Sequence, residues 1–469
     1  MEKKALIFLL LSTVVFAHNA NTLIPKGNGF YKPKALPDRI ILTPTEKPAS
    51  SIGVTWRTDT TISQPLVQIA PATHGPALLL DAREMRASSR KLQAQNGAAH
   101  HHSLVISGLN PATLYAYRVQ GSGTWSEWFQ FRTAAATPQP FQFLYIGDAQ
   151  NQIKSHVSRV IRQAFQDLPQ PSMILHAGDL VNGGANDDDN EWGEWFDVGG
   201  WMYAMIPALV TPGNHEYNKS KTPEGKEQYT LHPHWGHQFT VPQNGPKGLR
   251  ESVYYLDMMG VRFISLNSLS AIQHGTVQLQ ARWLDSILTK NPNRWTIITF
   301  HHPIFSVSQG RDNAELRKHW KPVFDKHHVD LVLQGHDHTY GRGDNETAGT
   351  QVYERKVGTM YVVSVSGPKM YLVSDNARKQ MDRVGEDVQL YQIVSVDHHM
   401  LSLEARTATG ALYDRFELHK GIDGRNTLHE GMLPEIRCSS PKSKEAGAKR
   451  CWTDLETESI GPKYKEKVK

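Results

Sequence analysis

A short apolar run that stops at a Gly-Asp pair is the most constraining feature of this sequence. Residues Met173–Ala177 form the run, and Gly178 and Asp179 follow it directly. A run of this length is too short for most helices and is typical of a buried strand. The glycine after it predicts a tight turn. The sequence therefore predicts that Asp179 stands at the end of a strand and presents its carboxylate there.

The same construction recurs four times along the chain. The further apolar runs are Phe141–Ile146, Ile206–Val210, Trp295–Phe300 and Val329–Gln334. The side chains that follow them are of metal-ligand types, and they are Asp148, Asn214, His301 and the pair His336 and His338. The ends of parallel strands collect ligands in open α/β sheets. We therefore expect these side chains to converge at one sheet edge.

The mixture of oxygen and imidazole ligands predicts a site for two metal ions. Two cations held about 3.5–4 Å apart need such a shell, and a shared carboxylate offsets their repulsion. Asp179, in the middle of the series, is the predicted bridge. The glycines before Asp148, Asp179, Asn214 and His336 are expected to let the backbone turn where a Cβ would clash.

These residues resemble the calcineurin-like metallophosphoesterase superfamily, and most of all purple acid phosphatases that carry a fibronectin type III-like N-terminal domain. The family motifs GDxG, GDxxY, GNH(D/E), VxxH and GHxH fall in the same order here. The resemblance implies one metal held by Asp148, Asp179 and His338, and a second held by Asp179, Asn214, His301 and His336. It also implies that His215 is the catalytic residue that faces the substrate phosphate. His301 is chosen over His302 because Ile298–His301 fits the VxxH motif.

Two positions depart from the purple acid phosphatase motifs, and both concern the first metal. Gln150 replaces the last glycine of GDxG, and Asn182 replaces the tyrosine that binds ferric iron in that family. Gln150 is a candidate weak ligand, and Asn182 is a candidate ligand or a hydrogen-bond partner of His215. Iron, manganese and zinc all remain open as the two ions. His302 and Arg342 are candidates for the substrate pocket.

Apolar strands alternate with helical patterns in the second part of the chain, which favours a largely parallel sheet covered by helices. The resemblance implies an α/β (α+β) two-sheet metallophosphoesterase sandwich flanked by helices, over residues 140–420. An all-β fibronectin III-like sandwich is expected before it, over residues 37–133, where short strands surround Trp56 and Tyr115. Residues 134–140 are rich in alanine and proline and form the expected linker.

The two ends of the chain have their own signatures. Residues 1–17 combine Lys3 and Lys4 with a short apolar run and a small-residue cleavage site, which predicts an export signal peptide. Residues 421–469 are predicted to be a polar tail, and its Cys438 and Cys451 are either a disulfide or two free thiols. No segment after the signal reaches the length of a membrane span.

These patterns together predict an exported, periplasmic or secreted, two-metal phosphoesterase. The resemblance implies that it hydrolyses a small phosphate monoester through a metal-bound hydroxide, as acid phosphatases do. A phosphodiesterase or nucleotide hydrolase is the first alternative, and an inactive exported binding protein is the second. The net charge of +5 arises from 51 basic and 46 acidic residues, so no nucleic-acid partner is expected. The sequence leaves the oligomeric state open.

Overall fold

The computed structural model describes residues 21–183, 188–344 and 354–430. The predicted signal peptide, both cysteines and residues 431–469 lie outside these ranges. The described residues contain no helix that is long and apolar enough to cross a membrane.

The first part of the chain folds as an all-β sandwich. Its strands are β1 (Asp38–Pro44), β2 (Ser51–Thr58), β3 (Leu66–Pro71), β4 (Arg83–Arg86), β5 (Ser88–Ala94), β6 (Gly97–Ser107), β7 (Leu114–Gly121), β8 (Thr124–Trp125) and β9 (Phe129–Arg132), with a 3₁₀ turn at Leu78–Leu80. One sheet has the order β1-β2-β6-β5, and the other has β4-β3-β7-β8 with β9 also paired to β7. Trp56 is buried in its core, and the hydroxyl of Tyr115 accepts a hydrogen bond of 2.9 Å from the backbone N–H of Asn110. The expected fibronectin-like sandwich is therefore confirmed, with a tyrosine corner.

The second part contains seventeen strands and eight α-helices among the described residues. The strands are β10 (Phe141–Ile146), β11 (Ile174–His176), β12 (Ala208–Val210), β13 (Tyr217–Lys221), β14 (Glu227–Leu231), β15 (Tyr254–Met258), β16 (Val261–Ser265), β17 (Trp295–Thr299), β18 (Leu331–Gln334), β19 (Tyr340–Gly343), β20 (Glu354–Val357), β21 (Met360–Val363), β22 (Arg383–Gly385), β23 (Leu390–Val396), β24 (Met400–Thr407), β25 (Leu412–Lys420) and β26 (Asn426–His429). The helices are α1 (Ser158–Asp167), which follows a π turn at Ile153–Val157, α2 (Asp188–Gly199), α3 (Trp201–Met205), α4 (Pro233–Gln238), α5 (Ser268–Gln273), α6 (Val277–Thr289), α7 (Ala314–Lys326) and α8 (Asp375–Gln380).

Two mixed sheets build the core of this second part. The first has the order β12-β11-β10-β23-β24-β25-β26-β20, and the second has β15-β16-β17-β18-β21-β19-β22. Side-chain alternation along β17 shows how they pack, since successive residues of a strand point to opposite faces. Ile297 belongs to the core between the sheets, whereas Ile298 packs with Trp320 of α7 in a second core. The predicted two-sheet sandwich flanked by helices is confirmed.

The predicted ligands follow strands of both sheets. In the first sheet β10, β11 and β12 are parallel neighbours, and in the second β17 and β18 are parallel neighbours. The expectation of a single sheet edge was wrong. The carboxyl ends of strands from both sheets meet instead. Asp179, which follows a strand of the first sheet, thus lies beside His301 and His336, which follow strands of the second.

The predicted C-terminal tail was wrong in its first residues. β26 pairs with β25 and with β20, and Leu428 in it is fully buried. Its sequence is too short and too polar to show strand periodicity, so tertiary pairing decides its conformation. The remaining tail residues fall outside the described ranges.

A buried cluster of charged residues joins the two parts of the chain. Arg39 of β1 pairs with Asp189 of α2 at 2.7 Å, and Arg57 of β2 lies 3.6 Å from the same carboxylate. His234 of α4 contacts this carboxylate at 3.2 Å. Because these side chains are nearly inaccessible to solvent, the cluster fixes the sandwich against α2 and α4.

Candidate metal centre

Four predicted ligands have a left-handed backbone, which non-glycine residues rarely adopt. The φ angles are +35° at Asp148, +50° at Asp179, +74° at His336 and +49° at His338. Each such residue costs about 1–3 kcal/mol, and this kind of strain concentrates at functional sites. The surrounding structure therefore holds the backbone of these four residues in an unfavourable conformation at the positions of predicted ligands.

The glycines of the motifs provide space more than they provide a turn. A Cβ on Gly213 would lie 2.1 Å from Asp179 Oδ1, and one on Gly335 would lie 2.3 Å from Asp148 Oδ2. Of the four glycines before predicted ligands, Gly178 is the one with a positive φ, +87°. The expected clash is present, while the sharp turn falls mainly on the ligands themselves.

Two overlapping groups of metal-ligand side chains result. Asp179, His301 and His336 form one, and Asp148, Asp179 and His338 form the other. Within each group the ligand atoms lie within 4.8 Å of one another. The side-chain oxygen of Asn214 lies 3.2 Å from His301 Nε2, beside the first group. Asp179 is the member that the two groups share.

Hydrogen bonds outside the groups fix which imidazole nitrogen faces inward. His301 Nδ1 donates to the carbonyl of Ala177 at 3.0 Å, so its Nε2 points at Asp179 Oδ2, 3.0 Å away. His338 Nδ1 donates to the carbonyl of Lys369 at 2.8 Å, which turns its Nε2 toward Asp148. Metal-binding histidines usually have such a partner on the other nitrogen.

The inward-facing atoms fit two cations. His336 Nδ1 lies 3.2 Å from His301 Nε2, so two imidazole nitrogens face each other. The Oδ1 atom of Asp148 is buried and has no hydrogen-bond partner. Buried acceptors that converge with too few donors are unfavourable, and cations would satisfy them. The mixed nitrogen and oxygen set suits iron, manganese and zinc alike.

Electrostatics separates the two carboxylates. Burial raises the pKa of Asp148 well above its usual range, although nearby His301 opposes the shift. Burial acts in the same direction on Asp179, but His301 and His215 outweigh it and hold its pKa below the usual range. The neighbouring imidazoles thus favour the ionised form of Asp179, which is the form that a ligand to cations must have.

His215 stands at the open side of the groups. Its backbone N–H donates to Asp179 Oδ1 at 2.9 Å, and its Nε2 lies 4.0 Å from Asp179 Oδ2. Its Nδ1 contacts the backbone carbonyl of Asn182. Burial lowers the pKa of His215, and Asp179 opposes that shift. The side chain is 27% exposed, so it is reachable from solvent.

Asn182 contacts His215 through its backbone, not its side chain. The side-chain amide accepts from Asn151 at 3.1 Å and donates to the carbonyl of Gly183 at 3.4 Å. Of the two roles left open by the sequence, the arrangement favours the partner of His215.

Gln150 lies beside the second group. Its amide nitrogen is 3.0 Å from Asp179 Oδ2 and 2.8 Å from His338 Nε2, and its buried oxygen has no hydrogen-bond partner. The side chain is therefore within hydrogen-bond distance of two predicted ligands.

Of the two candidates for the substrate pocket, His302 lies beside the site and Arg342 does not. The ring of His302 packs against that of His336 at a tilt of 42°, with ring centroids 4.2 Å apart, and His302 lines a cavity beside His215. The assignment of Arg342 was wrong. Its guanidinium is fully buried, with Nε 2.8 Å from Asp414 Oδ2 and a further contact to Glu430. Both acids lie far along the chain, so the sequence around Arg342 gives no sign of them.

Glu216 is a residue of the site that the sequence analysis assigned no role. Its buried carboxylate accepts from the backbone N–H groups of Gly213 at 2.7 Å, Asp179 at 2.9 Å and Leu180 at 2.8 Å. A fourth N–H, of Val181, lies at 3.4 Å. The carboxylate thus ties the loop after β11 to the loop after β12. An acidic residue directly after His215 was the available signal.

Comparisons with known proteins agree with this geometry. The family profile "Purple acid Phosphatase, N-terminal domain" matches residues 37–133, and "Calcineurin-like phosphoesterase" matches residues 141–340. A Mycobacterium tuberculosis protein is 27% identical over 63% of this chain and 60% of its own length. The Fe(3+)-Zn(2+) purple acid phosphatase 12 of Arabidopsis thaliana is 25% identical, over 66% of each chain. The chain thus spans less than two thirds of these relatives.

A solved structure shares the fold. The purple acid phosphatase PPD1 from yellow lupin, Lupinus luteus, superposes with a TM-score of 0.65 at 20% identity. The superposition covers 83% of this chain and 75% of the lupin chain. At this identity the likeness concerns the fold alone. With both family profiles matched in order and the ligand groups assembled, the chain carries a calcineurin-like phosphoesterase domain preceded by the N-terminal domain of purple acid phosphatases.

Proposed function

We propose that this protein is a two-metal phosphoesterase that hydrolyses phosphate monoesters. The observation that carries the proposal is the sharing of Asp179 between two ligand groups, with His215 exposed beside them. The Arabidopsis relative is named a purple acid phosphatase, which supports the same reaction class. Two bound cations of this kind supply an activated water and neutralise charge on the phosphoryl oxygens.

The side chains of the site would bind the ions, donate a proton and contact the substrate. Asp148, Asp179, Asn214, His301, His336 and His338 would hold the ions. His215 would act as an imidazolium, whose Nε2–H faces the site and gives its proton to the leaving oxygen while its Nδ1–H stays on the carbonyl of Asn182. A proton donor placed in this way contributes about 10²–10⁴-fold to the rate. His302 would lie against the substrate.

The test uses protein purified without chelator. We expect about two metal ions per chain by elemental analysis, in line with the two ligand groups, together with hydrolysis of p-nitrophenyl phosphate. The His215→Ala variant should keep its metal and lose most of the turnover. Metal without turnover in the unaltered protein would instead favour the inactive binding protein.

The preference for monoesters needs its own measurement, because Gln150 and Asn182 differ from the purple acid phosphatase motifs. Turnover of p-nitrophenyl phosphate is compared with that of bis-p-nitrophenyl phosphate. A higher kcat/KM for the monoester is expected. The reverse order would assign the site to phosphodiesters.

Export is proposed from residues 1–17. Expression of the whole chain with its own N-terminus should yield mature protein outside the cytoplasm, beginning after Ala17. An unprocessed N-terminus would contradict this proposal.

A further inference from the structure

A cavity of about 760 Å³ opens directly beside the metal centre. Asn214, His215 and His302 line its inner end, and Tyr217 and Tyr229 line its outer part. Its volume is within the range of about 300–1,000 Å³ that small-molecule sites occupy. A phosphoryl group at the centre would therefore have its ester substituent in this cavity.

The outer wall is the hairpin β13–β14, which forms a two-stranded sheet of its own. Lys219 pairs with Tyr229 across it, and Tyr217 pairs with Leu231. Residues at alternate positions of a strand share a face. Tyr217, Lys219 and Tyr229 are thus on the face toward the cavity.

The hairpin is anchored to the helical side of the site. Asn267 donates from Nδ2 to the hydroxyl of Tyr217 at 2.6 Å. The imidazole of His274, at the end of α5, contacts the carbonyl of Tyr229 at 3.0 Å. The hydroxyl of Tyr229 donates to Glu227 at 2.8 Å, so hydrogen bonds hold both tyrosine side chains before a ligand arrives.

The wall has the chemistry of a site for a flat, neutral ring. Tyr217 and Tyr229 offer aromatic faces, and Leu269 adds an apolar surface. Gln273 adds a hydrogen-bonding group to the same lining. Lys219 is paired with Glu227, and its ammonium lies 5.7 Å from the centroid of the Tyr229 ring. Aromatic faces with polar groups beside them are what nucleobases bind.

We propose that this cavity takes the nucleoside of a nucleoside monophosphate, with the base packed against Tyr229 and Tyr217. This inference rests on the proposed phosphoesterase function and names its substrate class. In the reaction a water oxygen bonds to phosphorus and the ester P–O bond breaks. The departing nucleoside oxygen takes a proton from the imidazolium of His215, and the proton released by the attacking water returns to His215 through solvent, which gives a nucleoside and inorganic phosphate.

The first experiment compares AMP with glycerol 3-phosphate, which lacks a ring. The unaltered protein should have the higher kcat/KM for AMP. Tyr229→Ala should lower that value about tenfold, the range of one base–aromatic stack, and so lower the ratio of the AMP value to the glycerol 3-phosphate value. Tyr229→Phe should keep the preference. Thr230→Ala is the matched control, since Thr230 is exposed on the same strand and does not line the cavity.

The second experiment measures the binding of adenosine by calorimetry and so does not depend on turnover. Tyr229→Ala should weaken its Kd about tenfold relative to Thr230→Ala. No adenosine binding, or equal Kd values in the two variants, would overturn the proposal. Adenosine binding without hydrolysis of either ester would support the cavity assignment and refute the phosphoesterase function.

Discussion

Asp179 combines three roles that depend on one another. Its carboxylate belongs to both ligand groups, its Oδ1 accepts the backbone N–H of His215, and its own backbone is left-handed. Asparagine would keep the shape of the side chain but lose the negative charge that offsets two cations. A substitution of Asp179 is therefore the most direct test of the proposal that one carboxylate bridges the two ions.

We expect Asp179→Asn to lose metal and turnover together. Elemental analysis should give less than one ion per chain, and hydrolysis of p-nitrophenyl phosphate should fall by a factor of at least about 10³. The contrasting variant is His215→Ala, whose metal content should stay that of the unaltered protein. Full activity in Asp179→Asn would remove Asp179 as the bridge.

Glu216 holds the two loops that carry Asp179 and Asn214 through their backbone N–H groups, and it is not a member of either ligand group. Glutamine at this position offers one acceptor in place of two, and its amide faces backbone N–H groups that already need acceptors. The loss of hydrogen bonds to a buried charged group costs about 1–3 kcal/mol each. The loops that carry Asp179 and Asn214 should then be less well fixed.

For Glu216→Gln we expect a fall of about 10–100-fold in metal affinity or kcat, the usual effect of a residue that orients ligands, and a lower melting temperature. Metal titration and thermal unfolding measure the two effects. Glu224→Gln, in the exposed turn of the hairpin, is the control and should change neither. An unchanged metal affinity in Glu216→Gln would show that the loops hold without it.

At the residue scale, local motifs indicated which side chains come together, because each predicted ligand follows the end of a strand and His336 and His338 follow the same one. Arg342 failed as a prediction because its burial depends on Asp414, which is distant in sequence but close in space. The left-handed backbone of four predicted ligands could not be predicted from the sequence. Aspartate and histidine adopt it only when the surrounding structure imposes it.

At the element scale, apolar runs predicted the central strands well. The runs ending at Ile146 and Gln334 end there in the structure. The hairpin β13–β14 and the strand β26 were missed because their residues are mostly polar, and pairing within the folded chain determines their conformation. Assignment of strands to two sheets also needed contacts that no single segment encodes.

The strand β19 provides an element-scale prediction. Arg342 joins it to Asp414 of β25, and removal of one member of a buried ion pair costs about 3–5 kcal/mol. We expect Arg342→Ala to lower the free energy of unfolding by that amount and to leave the KM for p-nitrophenyl phosphate unchanged. Denaturant unfolding and steady-state kinetics check both parts. Arg415→Ala, a half-exposed arginine on β25, should have little effect. A raised KM would return Arg342 to the substrate pocket.

At the scale of the whole molecule, the N-terminal sandwich and the metal centre are linked through α2. Asp189 of α2 is held by Arg39 of the sandwich, and Glu191 accepts the N–H of Gly183 at 2.8 Å. Gly183 follows Asn182, whose carbonyl contacts His215. The sandwich therefore supports the loop that orients the proposed proton donor.

Buried histidines make this assembly sensitive to acid. Burial lowers the pKa of His102 to about 4, and His100 adds to the effect. Its ring lies between Thr58 Oγ1 at 2.8 Å and Ser89 Oγ at 2.6 Å. Burial likewise lowers the pKa of His234, at the joint between the two parts, to about 4, against the opposing effect of Asp189. Folding thus holds both rings neutral.

A histidine whose folded pKa is depressed contributes stability above its unfolded pKa of about 6.5, and the contribution is lost as pH falls toward the folded value. For His102 the loss is about 2 kcal/mol at pH 5. We expect the melting temperature to fall between pH 7 and pH 4.5, and to fall less in His102→Gln, which keeps a neutral polar side chain at every pH. Thermal unfolding across this range, with exposed His74→Gln as the control, measures the difference. Equal slopes in His102→Gln and the unaltered protein would mean that His102 does not set the acid limit of this fold.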